Sequence, residues 1–350
     1  MKISFGLIVH NGEPFIKYQL ESLYPHAHQI IVVEGAVEKF RHASTPDGHS
    51  LDRTVEVIKN FPDPEHKITL IQREGFWPEK TEMSNAYMEA CTGDYIWQID
   101  VDEFYKNDDI KKVEEILSDN PDIVRVDFKT INFWKGFRAV MRGASYIYGA
   151  DEFIRIYRFK PGCRYSTHRP PTVVDEKGKE VRGRIVSAGE LSGEFGIFMY
   201  HYSYVFSNNV KSKSAYYAKM GWGKGCDDGV KWAGAYWEKL KNPLRIHLIN
   251  FPPSWVEPFN GEHPESIKHL IADIDFHEDG KLASFLRSDW RRFASAGALI
   301  TEAYLQAEKA ETGRVRAALK ILSALLFPSD LRTIRADRTI LHTFFKCLSH

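Results

Sequence analysis

Strand, helix and strand follow one another within the first 34 residues, and this order constrains the fold more than any other feature of the chain. Ile3 to Val9 is apolar apart from Ser4 and Gly6, as a parallel strand covered on both faces must be. His10-Asn11-Gly12-Glu13-Pro14 makes a turn, and Phe15 to Leu23 has the spacing of a helix with Pro14 near its first turn. Gln29 to Val33 is a second apolar run that stops at Glu34 and Gly35. A βαβ unit of this kind dictates a right-handed crossover and a parallel sheet. Asp52 is placed to cap a helix from Arg53 to Asn60, Ile68 to Ile71 reads as a third strand, and Thr81 to Cys91 as a helix ending at Gly93. Strands that each stop at polar or acidic residues put one ligand crevice at their carboxyl ends.

The fourth strand is Tyr95-Ile96-Trp97-Gln98-Ile99, followed at once by Asp100, Asp102 and Glu103. Strand alternation predicts that Asp100 and Asp102 project together. Two such carboxylates repel unless a cation lies between them or one takes a proton, so the pair predicts Mg²⁺ or Mn²⁺. The plain alternative is a strand end capped by solvated acids.

Lys plus Arg and Asp plus Glu both number 47, so the charge balance does not point to nucleic acid as a partner. No apolar run reaches the ~20 residues that span a bilayer, and the four cysteines form no C-x-x-C pair. Met1 to Pro14 lacks a signal-peptide pattern, and the expected location is the cytoplasm. Residues 36 to 50 are a polar insertion, and Ile131 to Tyr148 interleaves aromatic rings with arginines. Asp151 and Glu152 stand directly before a strand that runs to Phe159. Further along come His168-Arg169, a hairpin around Lys177-Gly178, and His201-Tyr202 at the end of an apolar run. Gly221 to Gly225 neither follows a strand nor opens a βαβ unit, so it reads as a loop and not as a dinucleotide fingerprint.

One domain is therefore expected over 1–250, in two parts, 1–105 and 106–250, which the family resemblance given below makes the donor half and the acceptor side of a catalytic domain. A Pro- and Gly-rich linker is expected over 251–280 and a helical region over 281–350. That last region carries 12 Lys and Arg against 6 Asp and Glu. It reads first as a helical cap, and second as a peripheral contact with the inner face of a membrane.

Taken in order, Val9-x-Asn11-x-Glu13, the acid Glu34, Asp52 to Phe61 and GDYIWQIDVDEF resemble the GT-A glycosyltransferases, family 2 in particular, over roughly residues 3 to 205. The resemblance implies an α/β GT-A fold with a mainly parallel central sheet and flanking helices, plus the C-terminal helices. It implies transfer of a sugar from an NDP-sugar, UDP first among the candidates, to a glycan, lipid-linked or protein acceptor, by inversion. By the same resemblance Val9, Asn11, Glu13, Glu34 and Asp100 bind the nucleotide-sugar, and Lys80, in the loop before the fourth strand, is placed to contact its diphosphate. Asp102, with Asp100 and His201, holds the divalent metal, and Asp151 or Glu152 is the base. Two departures stand out: the insertion after Glu34-Gly35, and Arg169 after His168 where the family has Glu. Two rival functions compete with this one. A nucleotidyltransferase would need a Gly-rich basic loop where this chain has HNGEP, and a carbohydrate-binding scaffold would share the fold with an inactive site.

Overall fold

The computed structural model describes residues 1–143, 152–220, 232–240, 244, 246, 254–274, 276–277 and 279–309. The chain divides into two compact units.

The first unit draws on residues 1–132, 151–203 and 261–277. It opens with β1 (Ile3–Val9), α1 (Phe15–Leu23) and β2 (Gln29–Glu34), as the βαβ reading requires. Next come α2 (Thr54–Asn60), β3 (Ile68–Ile71), α3 (Lys80–Glu89), β4 (Tyr95–Asp100), the two-residue β5 (Glu103–Phe104), α4 (Asn107–Asp119) and β6 (Ile123–Trp134). β1 pairs in parallel with β2 and β4, and β2 with β3. After β7 (Ala139–Gly143), the strand β8 (Glu152–Arg158) lies antiparallel to both β4 and β6. Because β8 runs against β4, its first residues lie at the carboxyl end of β4. β9 (Arg164–His168) and β10 (Pro171–Val174) form a separate hairpin. β11 (Arg184–Val186) pairs in parallel with β6, and β12 (Met199–Tyr204) pairs with β5.

The α/β architecture with a mainly parallel sheet is thus present, and apolar burial on both sheet faces holds it together. Phe5, Leu7, Ile30, Val32 and Trp97 lie in one core, while Ile31, Val33, Tyr87 and Ile96 lie in another. The Trp97 ring stacks on Phe128 at 5.4 Å and meets Tyr105 edge-on at 4.8 Å. Gly6 is dictated by packing, because a Cβ there would sit 2.6 Å from the Tyr87 ring.

The second unit contains β7, the end of β6 and β13 (Ser254–Pro258), with β13 antiparallel to β7. A π-helix at Ala233–Glu238 and helices at Gly280–Ser288 and Trp290–Lys309 complete its described part. Trp134, Trp232, Trp255, Leu282 and Phe285 are buried together there. The sequence spacing predicts helices over Leu282–Phe293 and Ala298–Lys309, whereas the break falls at Ser288-Asp289. Ser288 Oγ bonds the Ser284 carbonyl and the Asp289 side chain, diverting the local hydrogen bonding from the helix ladder. Gly297 does not interrupt the second helix, since its bare Cα is where Trp255 lies, a Cβ there meeting that ring at 2.3 Å. The helix expected over Arg314–Leu326 lies outside the described residues. Among the described residues no helix is long and apolar enough to cross a membrane.

Candidate active site

β4 ends at Asp100, so Asp102 lies in the turn to β5 and strand alternation does not extend to it. The two aspartates consequently take different partners. Asp100 Oδ2 accepts from Arg169 Nη2 at 2.8 Å and lies 3.9 Å from Arg155 Nη2. Burial alone would push the Asp100 carboxyl up. Arg169, then Arg155 and Lys80, outweigh burial and hold the carboxyl well below the ordinary range. Asp102 Oδ2 accepts from the Ser203 hydroxyl, and its Oδ1 lies 3.7 Å from His201 Nε2.

Glu103 lies beneath both aspartates. It is fully buried and clasped by Arg155, whose Nε donates to Oε2 at 2.8 Å and whose Nη2 donates to Oε1. The same carboxylate accepts the Asp100 backbone N–H at 3.1 Å. One buried ion pair therefore fixes the backbone from which Asp100 projects.

Both aspartates, Glu103 and Arg155 fall within residues 46–166, which match the model of the family described as "Glycosyl transferase family 2". Residues 46–166 are of the family 2 glycosyltransferase type. No curated protein matches the sequence. Among solved structures, TarS 1-349 of S. aureus is similar at 12% identity over 71% of this chain and 76% of that one, with a TM-score of 0.34. Glucosyl-3-phosphoglycerate synthase from Mycobacterium tuberculosis, in complex with Mn2+, UDP and glucosyl-3-phosphoglycerate, is similar at 19% identity over 38% of this chain and 44% of that one, with a TM-score of 0.28.

Of the residues expected to bind the nucleotide, Asn11 and Glu34 are engaged in holding the insertion. Asn11 adopts a left-handed backbone (φ 52°), which Asn tolerates better than most side chains. Its Oδ1 accepts from the Leu51 N–H at 2.7 Å, and its Nδ2 donates to the Ala43 carbonyl at 2.9 Å. Glu34 is fully buried and receives His49 Nδ1, Gln72 Nε2 and both the N–H and the hydroxyl of Ser50, each at 2.8 Å. Glu13 binds Arg53, and Val9 is buried in the sheet core. This explains how the insertion after Gly35 is accommodated: the acid and the asparagine that the sequence pattern assigns to a ligand anchor residues 43–51.

Lys80 opens α3 and acts electrostatically on both Asp100 and His168. His168 is buried, with Nδ1 3.0 Å from Ser84 Oγ. Ser84 spends its own proton on the Lys80 carbonyl, so the histidine Nδ1–H donates and Nε2 keeps its lone pair, with no hydrogen-bond partner among the described residues. Burial, then Lys80, Arg169 and Arg155, bring this imidazole down to about 3 against the pull of Asp100. His168 is therefore neutral when folded and ordinary, near 6.5, when unfolded. As pH falls below 6.5 the unfolded chain takes the proton first, and stability is lost progressively toward pH 3. Between pH 7 and 4.5 the expected loss from this group is about 2.5 kcal/mol. Urea unfolding of His168→Asn should show a correspondingly shallower fall over that range, and parallel wild-type and variant curves would contradict the assignment.

Of the two proposed bases, Asp151 lies outside the described residues. Glu152 is exposed at the start of β8 and pairs in register with Lys129. Arg155, Arg169 and the Ser203–Asn132 contacts of His201 are the site residues that sequence spacing alone does not assign. A signal existed for Arg155, which is the charged residue inside the apolar run F-I-R-I-Y.

A divalent cation can be tested against these side chains. Among the described residues no three His, Cys, Asp or Glu groups stand together as a complete cage. Asp102 and His201 nonetheless converge, which suits a magnesium-type ion that takes one or two protein ligands and completes its shell with phosphate and water. Asp100, committed to Arg169, fits the coordination less well.

Proposed function

We propose that this family 2 glycosyltransferase moves a sugar from a nucleoside diphosphate donor, UDP first among the candidates, to a hydroxyl acceptor in a metal-dependent, inverting displacement. The observation that carries the reading is the division of labour at the end of β4. Arg169 and Arg155 hold Asp100, while Asp102 is presented with His201 and Ser203.

Asp102 and His201 would hold the cation, which when bound supplies Lewis-acid neutralisation of the diphosphate leaving group. Lys80 and Arg169 add positive charge beside Asp100, favouring an anionic donor. Asp151 or Glu152 takes the acceptor proton, and the antiparallel pairing of β8 with β4 supports that assignment by bringing the Glu152 end of β8 to the carboxyl end of β4. The acceptor is a glycan, lipid-linked or protein hydroxyl, and a cytoplasmic location with peripheral membrane contact through the C-terminal helices belongs to the same proposal.

Titration calorimetry with UDP and with GDP, each with and without Mn²⁺, tests the reading. Mn²⁺ is expected to tighten binding of one nucleotide at least tenfold, and Asp102→Ala to abolish that gain. Nucleotide binding indifferent to Mn²⁺ would remove the metal from the proposal, and no nucleotide binding at all would favour the scaffold alternative.

A further inference from the structure

Side chains from two other elements dock the β9–β10 hairpin, whose turn carries Arg169 to Asp100. Among the described residues β9 pairs with β10 alone, so its other edge has no strand beside it. There the Asn85 side chain of α3 takes the place of one. Its Oδ1 accepts the Tyr165 N–H at 2.7 Å, and its Nδ2 donates to the Tyr165 carbonyl at 3.1 Å. A backbone N–H only donates and a backbone carbonyl only accepts, so this is the one orientation of the amide that satisfies both. From β8, the Tyr157 hydroxyl donates to the Pro171 carbonyl at 2.8 Å.

Between these two anchors the hairpin aims its turn. Tyr165 pairs with Val173 and Thr167 with Thr172, so Ser166 is one residue more than the opposing strand has. Such a bulge reverses the alternation that follows it. Tyr165 and His168, three apart, are consequently both buried, and His168 comes within 3.0 Å of Ser84, the residue before Asn85. The Thr167 and Thr172 hydroxyls both donate to the Pro170 carbonyl, at 2.6 and 3.3 Å, and brace the turn. Arg169, inside that turn, is thereby tied to α3, the helix that Lys80 opens. Arg169 from the hairpin and Lys80 from the helix both bear on the Asp100 carboxylate. The two cations repel each other, and the Asn85 clamp between their elements opposes that repulsion. Their combined charge complements an anion of more than one charge, which a nucleoside diphosphate is.

We propose that Asn85, seconded by Tyr157, is a positioning residue for the grip on the donor's diphosphate, acting through Arg169: by clamping β9 to α3 it fixes the spacing of Arg169 and Lys80. This rests on the nucleoside diphosphate reading of the site and not on its metal. It predicts that nucleotide affinity follows the hydrogen-bonding chemistry of residue 85.

The test is calorimetric titration of the full chain with UDP and with GDP, Mn²⁺ present throughout, together with hydrogen exchange at the Tyr165 amide. Asn85→Ala should speed exchange of that amide about tenfold or more and weaken the bound nucleotide about 5- to 10-fold. Arg169→Ala should weaken it about tenfold, and the double variant no further, because the clamp acts through that guanidinium. Asn85→Asp keeps the size of the side chain and an acceptor for the Tyr165 N–H, but turns a second acceptor on the Tyr165 carbonyl. It should bind no better than Asn85→Ala. Tyr157→Phe, which removes only the hydroxyl of the second anchor, should lose about threefold and serves as the test if Asn85→Ala does not fold.

A folded Asn85→Ala, or a Tyr157→Phe standing in for it, with wild-type nucleotide affinity overturns the positioning role. A double variant in which the losses of Asn85→Ala and Arg169→Ala multiply also overturns it, since that pattern marks a side chain acting on the fold and not through Arg169. Asn85→Asp with wild-type affinity does the same. Wild-type protein that binds neither nucleotide sinks the donor reading itself and this proposal with it. Exchange of the Tyr165 amide, read without nucleotide, distinguishes that result from a failure of the clamp.

Discussion

Arg155→Met is expected to destabilise the protein by about 3–5 kcal/mol, the loss typical when one member of a buried ion pair is removed. The reason is the neighbourhood left behind. Glu103 is fully buried, with Asp100 and Asp102 adding negative charge and Arg155 as its opposing cation. Without the guanidinium, burial and those two neighbours push the Glu103 carboxyl up until it protonates. A carboxyl raised above its unfolded value binds more protons folded than unfolded, so the variant's deficit should shrink as pH falls from 7 toward 5. Glu103→Gln should recover part of the loss in the Arg155→Met background, because no buried charge then lacks a partner. Thermal and urea unfolding of the two single variants and the double variant measure the coupling. A single Arg155→Met within about 1 kcal/mol of wild type would show that the pair contributes little.

The ion pair also marks the limit of what local sequence encodes. The βαβ opening was legible because its apolar runs, turn residues and helix spacing are local, and β4 was legible from Tyr95 to Ile99 for the same reason. Beyond Asp100 the backbone depends on contacts far along the chain. The strand ends two residues short of Asp102, where the Asp100 N–H is taken by Glu103, whose carboxylate is held in turn by Arg155, 52 positions away. The Ser203 partner of Asp102 comes from β12, and the Asn132 side chain beside His201 from β6. Glu34 and Asn11 likewise meet the insertion that follows Gly35, whose residues fold back onto both. A motif reports which residue types meet at a site. Which of them face a ligand and which brace the backbone is decided by pairings that spacing does not encode.

The largest loss of activity is expected for Asp102→Asn, about 10³-fold in kcat/KM for sugar transfer or donor hydrolysis, since several kcal/mol of transition-state stabilisation depend on an anionic oxygen there. Asn keeps the size of the side chain and a hydrogen bond to Ser203, so the fold should survive and the loss should be chemical. Asp100→Asn is expected to behave differently. Arg169 already satisfies its charge, and neutralising it leaves Arg155 buried against Glu103 and only the Arg169 guanidinium for a donor diphosphate to claim, so a fall of roughly tenfold, mainly in kcat, is the expected result. Release of nucleoside diphosphate from a panel of UDP- and GDP-sugars, with Mn²⁺ saturating for wild type, ranks the variants without knowledge of the acceptor. The order Asp102 far below Asp100 follows from their different partners. Equal losses would mean that both carboxylates share one role, as strand alternation alone had suggested, and Asp102→Asn within threefold of wild type would take this aspartate out of the reaction.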